Sequence, residues 1–181
     1  MRKVFLEECV RSSYSAEVHP AVHEFKWQIN AAEGYLELGM AAEALDELAG
    51  LHPTISALPE ITLLQLHILN KLGRWEDATT LGEATISTHP LGGDFYLVTS
   101  YAKRRFRSVA EAKTLLLSGE PVLNAEAIFH YNVGCYDCLL GNLDEAVGRL
   151  ERAFLIDPRY RQTAMDDEDL TALRTWVAAA L

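Results

Sequence analysis

Residues 139–158 read LLGNLDEAVGRLERAFLIDP. Two leucines run into Gly141, and past the acids Ala146, Leu150 and Ala153 recur at helical spacing until Pro158. This is the end of one helix, a tight turn and a second helix. Glycine takes the left-handed backbone that closes a helix without a Cβ penalty, and proline stops the helix that follows. The pattern returns upstream. An acidic residue followed by alanine stands at Glu43-Ala44, Asp77-Ala78, Glu111-Ala112 and Glu145-Ala146, with a step of 34 residues between successive alanines. Six positions before each alanine is a large apolar residue, Leu38, Leu72, Phe106 or Leu140, followed by Gly39, Gly73, Arg107 and Gly141. Only Arg107 has to close its helix without glycine. The alanines mark places where paired helices cross closely, since a larger side chain there would push them apart. Pro53, Pro90, Pro121 and Pro158 stop the second helices, with odd units ending three residues earlier than even ones. The expected fold is all-α: a solenoid of four antiparallel helix-turn-helix repeats at about 25–58, 59–92, 93–126 and 127–158.

A 34-residue unit with small residues at the eighth and twentieth positions and an aromatic at the fourth resembles the tetratricopeptide repeat (TPR). Repeat 4 fits best, with Gly134, Gly141, Ala146, Leu150, Ala153 and Pro158 in order. Repeat 1 carries Ala32, Tyr35, Gly39, Ala44 and Leu48, and repeat 2 Leu69, Gly73, Trp75, Ala78 and Pro90. Repeat 3 has Tyr96, Ser100, Phe106, Ala112 and Leu116. Gln28, Thr62 and His130 replace the aromatic, Leu66 replaces a small residue, and Lys103 stands where Tyr or Leu is usual. The resemblance covers about residues 25–158.

After Pro158 come Asp166, Asp167, Glu168 and Asp169, then Leu170, Leu173, Trp176, Val177 and Ala180 at helical spacing. Acids favour a helix start and the apolar stripe needs a surface to cover, so 159–181 is expected to be a capping helix over repeat 4. This ending is similar to that of a group of bacterial TPR proteins, most of unassigned role. Residues 1–24 match no repeat; Phe5, Leu6, Cys9 and Val10 point to a short amphipathic helix, and Ser12 to Pro20 to a connector.

Composition narrows the functional classes. The chain has 181 residues, is 49% hydrophobic and carries a formal net charge of −10. That field repels phosphate backbones and anionic lipid, so neither nucleic acid nor membrane is expected as a partner. The apolar run Val4 to Leu6 is too short for a signal peptide, no stretch approaches the roughly 20 apolar residues of a membrane span, and three cysteines suit a reducing compartment. A cytoplasmic location is expected. Cys135-x-x-Cys138 falls mid-helix with no preceding strand, which points to packing rather than redox or zinc chemistry. His19 and His23 have metal-pair spacing but Pro20 lies between them, and Gly92-Gly93 lacks the rest of a phosphate loop. No catalytic constellation stands out, so neither enzyme activity nor a metal or other cofactor is expected.

In TPR proteins the first helices line a concave groove, and the resemblance implies which positions face it. These are Glu33 and Glu37 in repeat 1, and Leu63, His67, Asn70 and Lys71 in repeat 2. Repeat 3 contributes Leu97, Tyr101, Arg104 and Arg105, and repeat 4 Tyr131, Cys135 and Cys138. Lys103, Arg104, Arg105 and Arg107 form the dense basic cluster of the chain, read either as a solvated helix end or as a contact for an acidic segment. Leu63, Leu97, Tyr101 and Tyr131 would add the apolar surface that a peptide or helix buries. The implied function is a protein–protein interaction scaffold or adaptor whose groove takes an acidic segment with a hydrophobic anchor. The alternative is a homo-oligomer, a homodimer for instance, joined through the groove or the apolar end at Trp176, Val177 and Leu181. A chaperone-tail clamp would need Lys and Asn where this chain has Ile29 and Glu33.

Overall fold

The computed structural model describes residues 22–179, with side chains from residue 25. The helix and connector expected between Phe5 and Pro20 lie outside that range. The described residues form α1 (Val22–Glu37), α2 (Ala41–Ala49), α3 (Pro53–Ser56), α4 (Pro59–Lys71), α5 (Trp75–Thr88) and α6 (Gly93–Phe106). They continue with α7 (Val109–Ser118), α8 (Glu120–Leu123), α9 (Ala127–Leu140), α10 (Leu143–Ile156) and α11 (Arg159–Asp166). A 3-10 segment (Glu168–Leu173) and α12 (Arg174–Ala179) end the series, and no strand occurs among the described residues. No helix among them is long and apolar enough to cross a membrane.

The turns follow the glycine pattern. Gly39, Gly73 and Gly141 sit at φ +79°, +71° and +80°, the left-handed region where a side chain would be strained. Arg107 stays at negative φ. Its N–H donates to the Lys103 carbonyl at 2.7 Å, and the Ser108 hydroxyl caps the next helix by accepting from the Glu111 N–H at 3.1 Å. The proline offset has a structural meaning that the sequence pattern does not disclose. In odd repeats the second helices α2 and α7 have 9 and 10 residues, against 14 in α5 and 14 in α10. The missing length reappears as the one-turn helices α3 and α8, so Pro53 and Pro121 stand in a first helical turn, where a missing N–H costs nothing.

Each second helix packs on its own first helix and on the first helix of the next repeat. Ala44, Ala78, Ala112 and Ala146 are completely buried. A tight approach lies between repeats 2 and 3, where a Cβ on Gly82 would stand 1.9 Å from Thr99 Oγ1. The core is a row of four clusters, each shared by neighbouring units, as expected of a stack that can bury its apolar faces only against the next repeat.

The last cluster is closed by the tail, but not by one helix. Asp167 is extended (φ −79°, ψ 117°) and breaks the expected capping helix into α11, the 3-10 segment and α12. The cause is its carboxylate, which is buried and accepts from the Tyr131 hydroxyl and from the Asp169 N–H, so the chain turns to serve it. Leu170, Leu173 and Val177 still bury against repeat 4.

Candidate functional site

The 34-residue register sets four rows of side chains along the first helices: Ile29, Leu63, Leu97 and Tyr131; then Glu33, His67, Tyr101 and Cys135. Leu36, Asn70, Arg104 and Cys138 form the third row, and Glu37, Lys71, Arg105 and Leu139 the fourth. Steps of four and then three residues keep the first three rows on one side of each helix.

The structure divides these residues sharply. Glu37, Lys71 and Arg105 are exposed, and Glu33 and Arg104 half-buried. Leu63, His67, Asn70, Leu97, Tyr101 and Tyr131 are buried. The expectation that Leu63, Leu97, Tyr101 and Tyr131 offer exposed apolar surface is therefore corrected. Leu63 belongs to the cluster of Leu66, Phe95 and Val98, and Leu97 and Tyr101 to that of Phe129 and Tyr136, because neighbouring repeats share these side chains. Asn70 is also structural, its amide donating to the Val98 carbonyl at 3.3 Å and tying α4 to α6. Tyr101 packs edge-on against Trp75 at 5.9 Å and carries the Arg105 guanidinium 5.6 Å from its ring.

Arg104 and Tyr131, on α6 and α9, converge on the acidic corner of the tail. Arg104 donates through both terminal nitrogens to the two oxygens of Asp169, each at 2.6 Å. Its guanidinium also lies 5.9 Å from the Tyr136 ring. Tyr131 donates to Asp167 Oδ2 at 2.8 Å, and the Cys135 thiol points at the same oxygen at 3.8 Å. Leu170 and Leu173 then enter the cluster of Tyr131, Cys135 and Cys138. Planar two-point recognition is what arginine does best with a carboxylate, and partial burial strengthens it.

Electrostatics follow this geometry. Burial alone would lower the Arg104 pKa, but the doubled hydrogen bond and charge of Asp169 outweigh it and hold the pKa above its ordinary value. Burial, then the charges of Asp167 and Asp169, push the Cys135 thiol well up, and burial raises Cys138 too. Both are free thiols and neither is an activated nucleophile. Sequence reasoning places Arg104 and Tyr131 on this face but misses Asp167 and Asp169 as their counterparts. The available signal is charge complementarity between the acidic run at 166–169 and the arginines at 104–107.

His67 is separate from this seat. Neither of its ring nitrogens has a hydrogen-bond partner among the described residues, and burial, with the nearby Lys71 charge, lowers its pKa to about 4. The unfolded chain takes up a proton there near the ordinary 6.5 while the folded chain does not, so stability falls as pH drops from 6.5 to about 4 and levels below. The full span is about 3 kcal/mol, at about 1.4 kcal/mol per pKa unit. A His67→Leu variant is expected to lose about 2 to 3 kcal/mol less than wild type between pH 7 and pH 4.5 in urea unfolding. Equal losses in the two proteins would contradict it.

No family model matches the chain, and no curated protein does. Solved structures do. A thermophilic TPR protein of Thermus thermophilus superposes with a TM-score of 0.72 at 22% identity, over 86% of this chain and 87% of that one. MamA residues 41 to the end, from Desulfovibrio magneticus RS-1, gives 0.67 at 18% identity, over 86% and 89%. A double mutant of MamA RS-1 gives 0.66 at 19% identity, over 86% and 93%. With its 34-residue register, its stacked helix pairs and these likenesses, the chain is a TPR-like protein in fold.

Proposed function

We propose that this chain is a protein-interaction scaffold whose first-helix face binds an acidic segment of a partner protein, anchored by an apolar side chain. The observation that carries this reading is the seat of Arg104 and Tyr131, which already holds two carboxylates spaced two residues apart with a leucine directly after. Lys71 and Arg105, exposed and 34 residues apart in register, add positive charge to α4 and α6, the second beside Arg104 in sequence. Local charge governs at contact distance despite the net −10, because distant charges are screened beyond about 8 Å in physiological salt. The self-association reading loses support, since Val177 is buried and Trp176 stacks on Phe154 at 6.0 Å within one chain.

The test is capture from native lysate, identification of the bound protein, and titration of its acidic segment against wild type and a Lys71→Glu/Arg105→Glu variant. Both side chains are exposed, so the variant keeps its fold. Binding at least tenfold weaker in the variant, with affinity falling as salt rises, is expected. Equal affinity for the two proteins would overturn the reading.

A further inference from the structure

The tail that fills the seat is broken into short pieces. Residues 168–173 are a 3-10 segment in which Leu170 has non-helical angles (φ −99°, ψ 17°), flanked by α11 of 8 residues and α12 of 6. A 3-10 stretch between helices often marks a hinge. The 3-10 segment packs on α9, a first helix, where α11 packs on α10 as the next unit of the stack would. Its polar attachment is concentrated in Asp167 and Asp169, which reach residues 36 and 65 positions away in sequence. The Arg174 guanidinium braces the corner by donating to the Asp167 carbonyl at 3.4 Å.

From this geometry we infer that residues 167–173 are a tethered competitor for the seat of Arg104 and Tyr131, and that a partner segment of the same chemistry, Asp-x-Asp-Leu-x-x-Leu, binds there by displacing them. This rests on the proposed function and adds its regulation. Exchange conserves the contacts: the incoming carboxylates take over Arg104 and the Tyr131 hydroxyl, and the incoming leucine refills the space left by Leu170, so no buried charge is stranded and no cavity opens. A tethered occupant acts at a high effective concentration, and a free segment therefore sees only the fraction of molecules whose seat is open. Weakening the tail, without touching the seat, must raise the apparent affinity for the free segment.

The experiment uses the full chain and a fluorescent peptide with the sequence of residues 165–177. Anisotropy titration is expected to show weak binding to wild type and at least tenfold tighter binding to Asp167→Asn/Asp169→Asn. Adding Arg104→Glu to that variant should abolish the gain. Circular dichroism establishes that each protein is folded. A folded Asn variant that binds no tighter than wild type, or a gain that survives Arg104→Glu, would overturn the inference. Hydrogen exchange on wild type gives a measure independent of any variant. Millimolar peptide should speed exchange of amides 168–173 and leave those of α10 unchanged, and an unchanged tail would equally overturn it. The peptide assay needs no natural partner. Its failure beside a positive Lys71/Arg105 titration removes the tail inference alone, and the reverse pattern removes the partner reading.

Discussion

Leu170→Ala is expected to lower the unfolding free energy by about 2 to 5 kcal/mol, the range for truncating a fully buried leucine. Leu170 has no exposed surface and sits in the cluster of Cys135, Leu150, Phe154 and Val177. Two losses add: the transfer energy of the deleted methyl groups and the cavity left among neighbours fixed by their own helices. For a chain of this size, about 1 kcal/mol corresponds to about 2 to 4 °C, so a melting shift of roughly 5 to 15 °C is expected by calorimetry. Because repeats interact only with their neighbours, the loss should concentrate in repeat 4 and the tail, with hydrogen exchange in α1 and α2 unchanged. Leu155, 71% exposed on α10, supplies the control, and its alanine variant should melt within about 1 to 2 °C of wild type. A Leu170→Ala shift no larger than that control would mean that the tail is merely appended.

The repeat is legible in the sequence because its physics is local. Gly39, Gly73 and Gly141 each announce a left-handed turn within one helical end, and the buried alanines follow at a fixed distance. The exception at Arg107 is visible as an exception, but its remedy, the Ser108 cap, involves the next three residues. The candidate site is half legible. Register assigns Arg104, Arg105 and Tyr131 to the first helices, yet does not say which of those side chains neighbouring repeats enclose, so Leu63 and Leu97 look like surface until the repeats are stacked. The acidic run at 166–169 has two physical readings, stabilisation of its own helix start or service as counter-charge to a distant cation. The first is local and is the one a sequence suggests; the second, an Arg104–Asp169 pair 65 residues apart, needs the fold. Both hold in the structure: Asp167 caps the start of the 3-10 segment through the Asp169 N–H, and Asp169 meets Arg104.

The same distinction between a charge's place in register and its surroundings gives the last expectation. Lys103 and Asp137 occupy equivalent positions of repeats 3 and 4, 34 residues apart. Each pairs with the second helix of the preceding repeat, Lys103 with Glu83 on α5 and Asp137 with Lys113 on α7. Their energetics differ because their burial does. The Glu83 side chain is 43% exposed, so Lys103→Ala is expected to cost under about 1 kcal/mol from this pair. The Asp137 side chain is 3% exposed, and without Lys113 its remaining side-chain donor is the Asn142 amide at 3.1 Å. Lys113→Ala should therefore cost about 3 kcal/mol, the low end for breaking a buried pair, since Lys113 itself is 23% exposed and water partly replaces it. Removing both charges as Lys113→Met/Asp137→Asn should recover most of that loss, because an amide at 137 keeps its hydrogen bond to Asn142 without a stranded charge. The pair joins α7 to α9, and α7 packs on α6, so it also helps fix the spacing of Arg104 and Tyr131. Urea unfolding of wild type and these three variants measures the differences. A Lys113→Ala cost equal to that of Lys103→Ala, or a double variant as weak as Lys113→Ala alone, would show that burial of Asp137 does not set the energy of this contact.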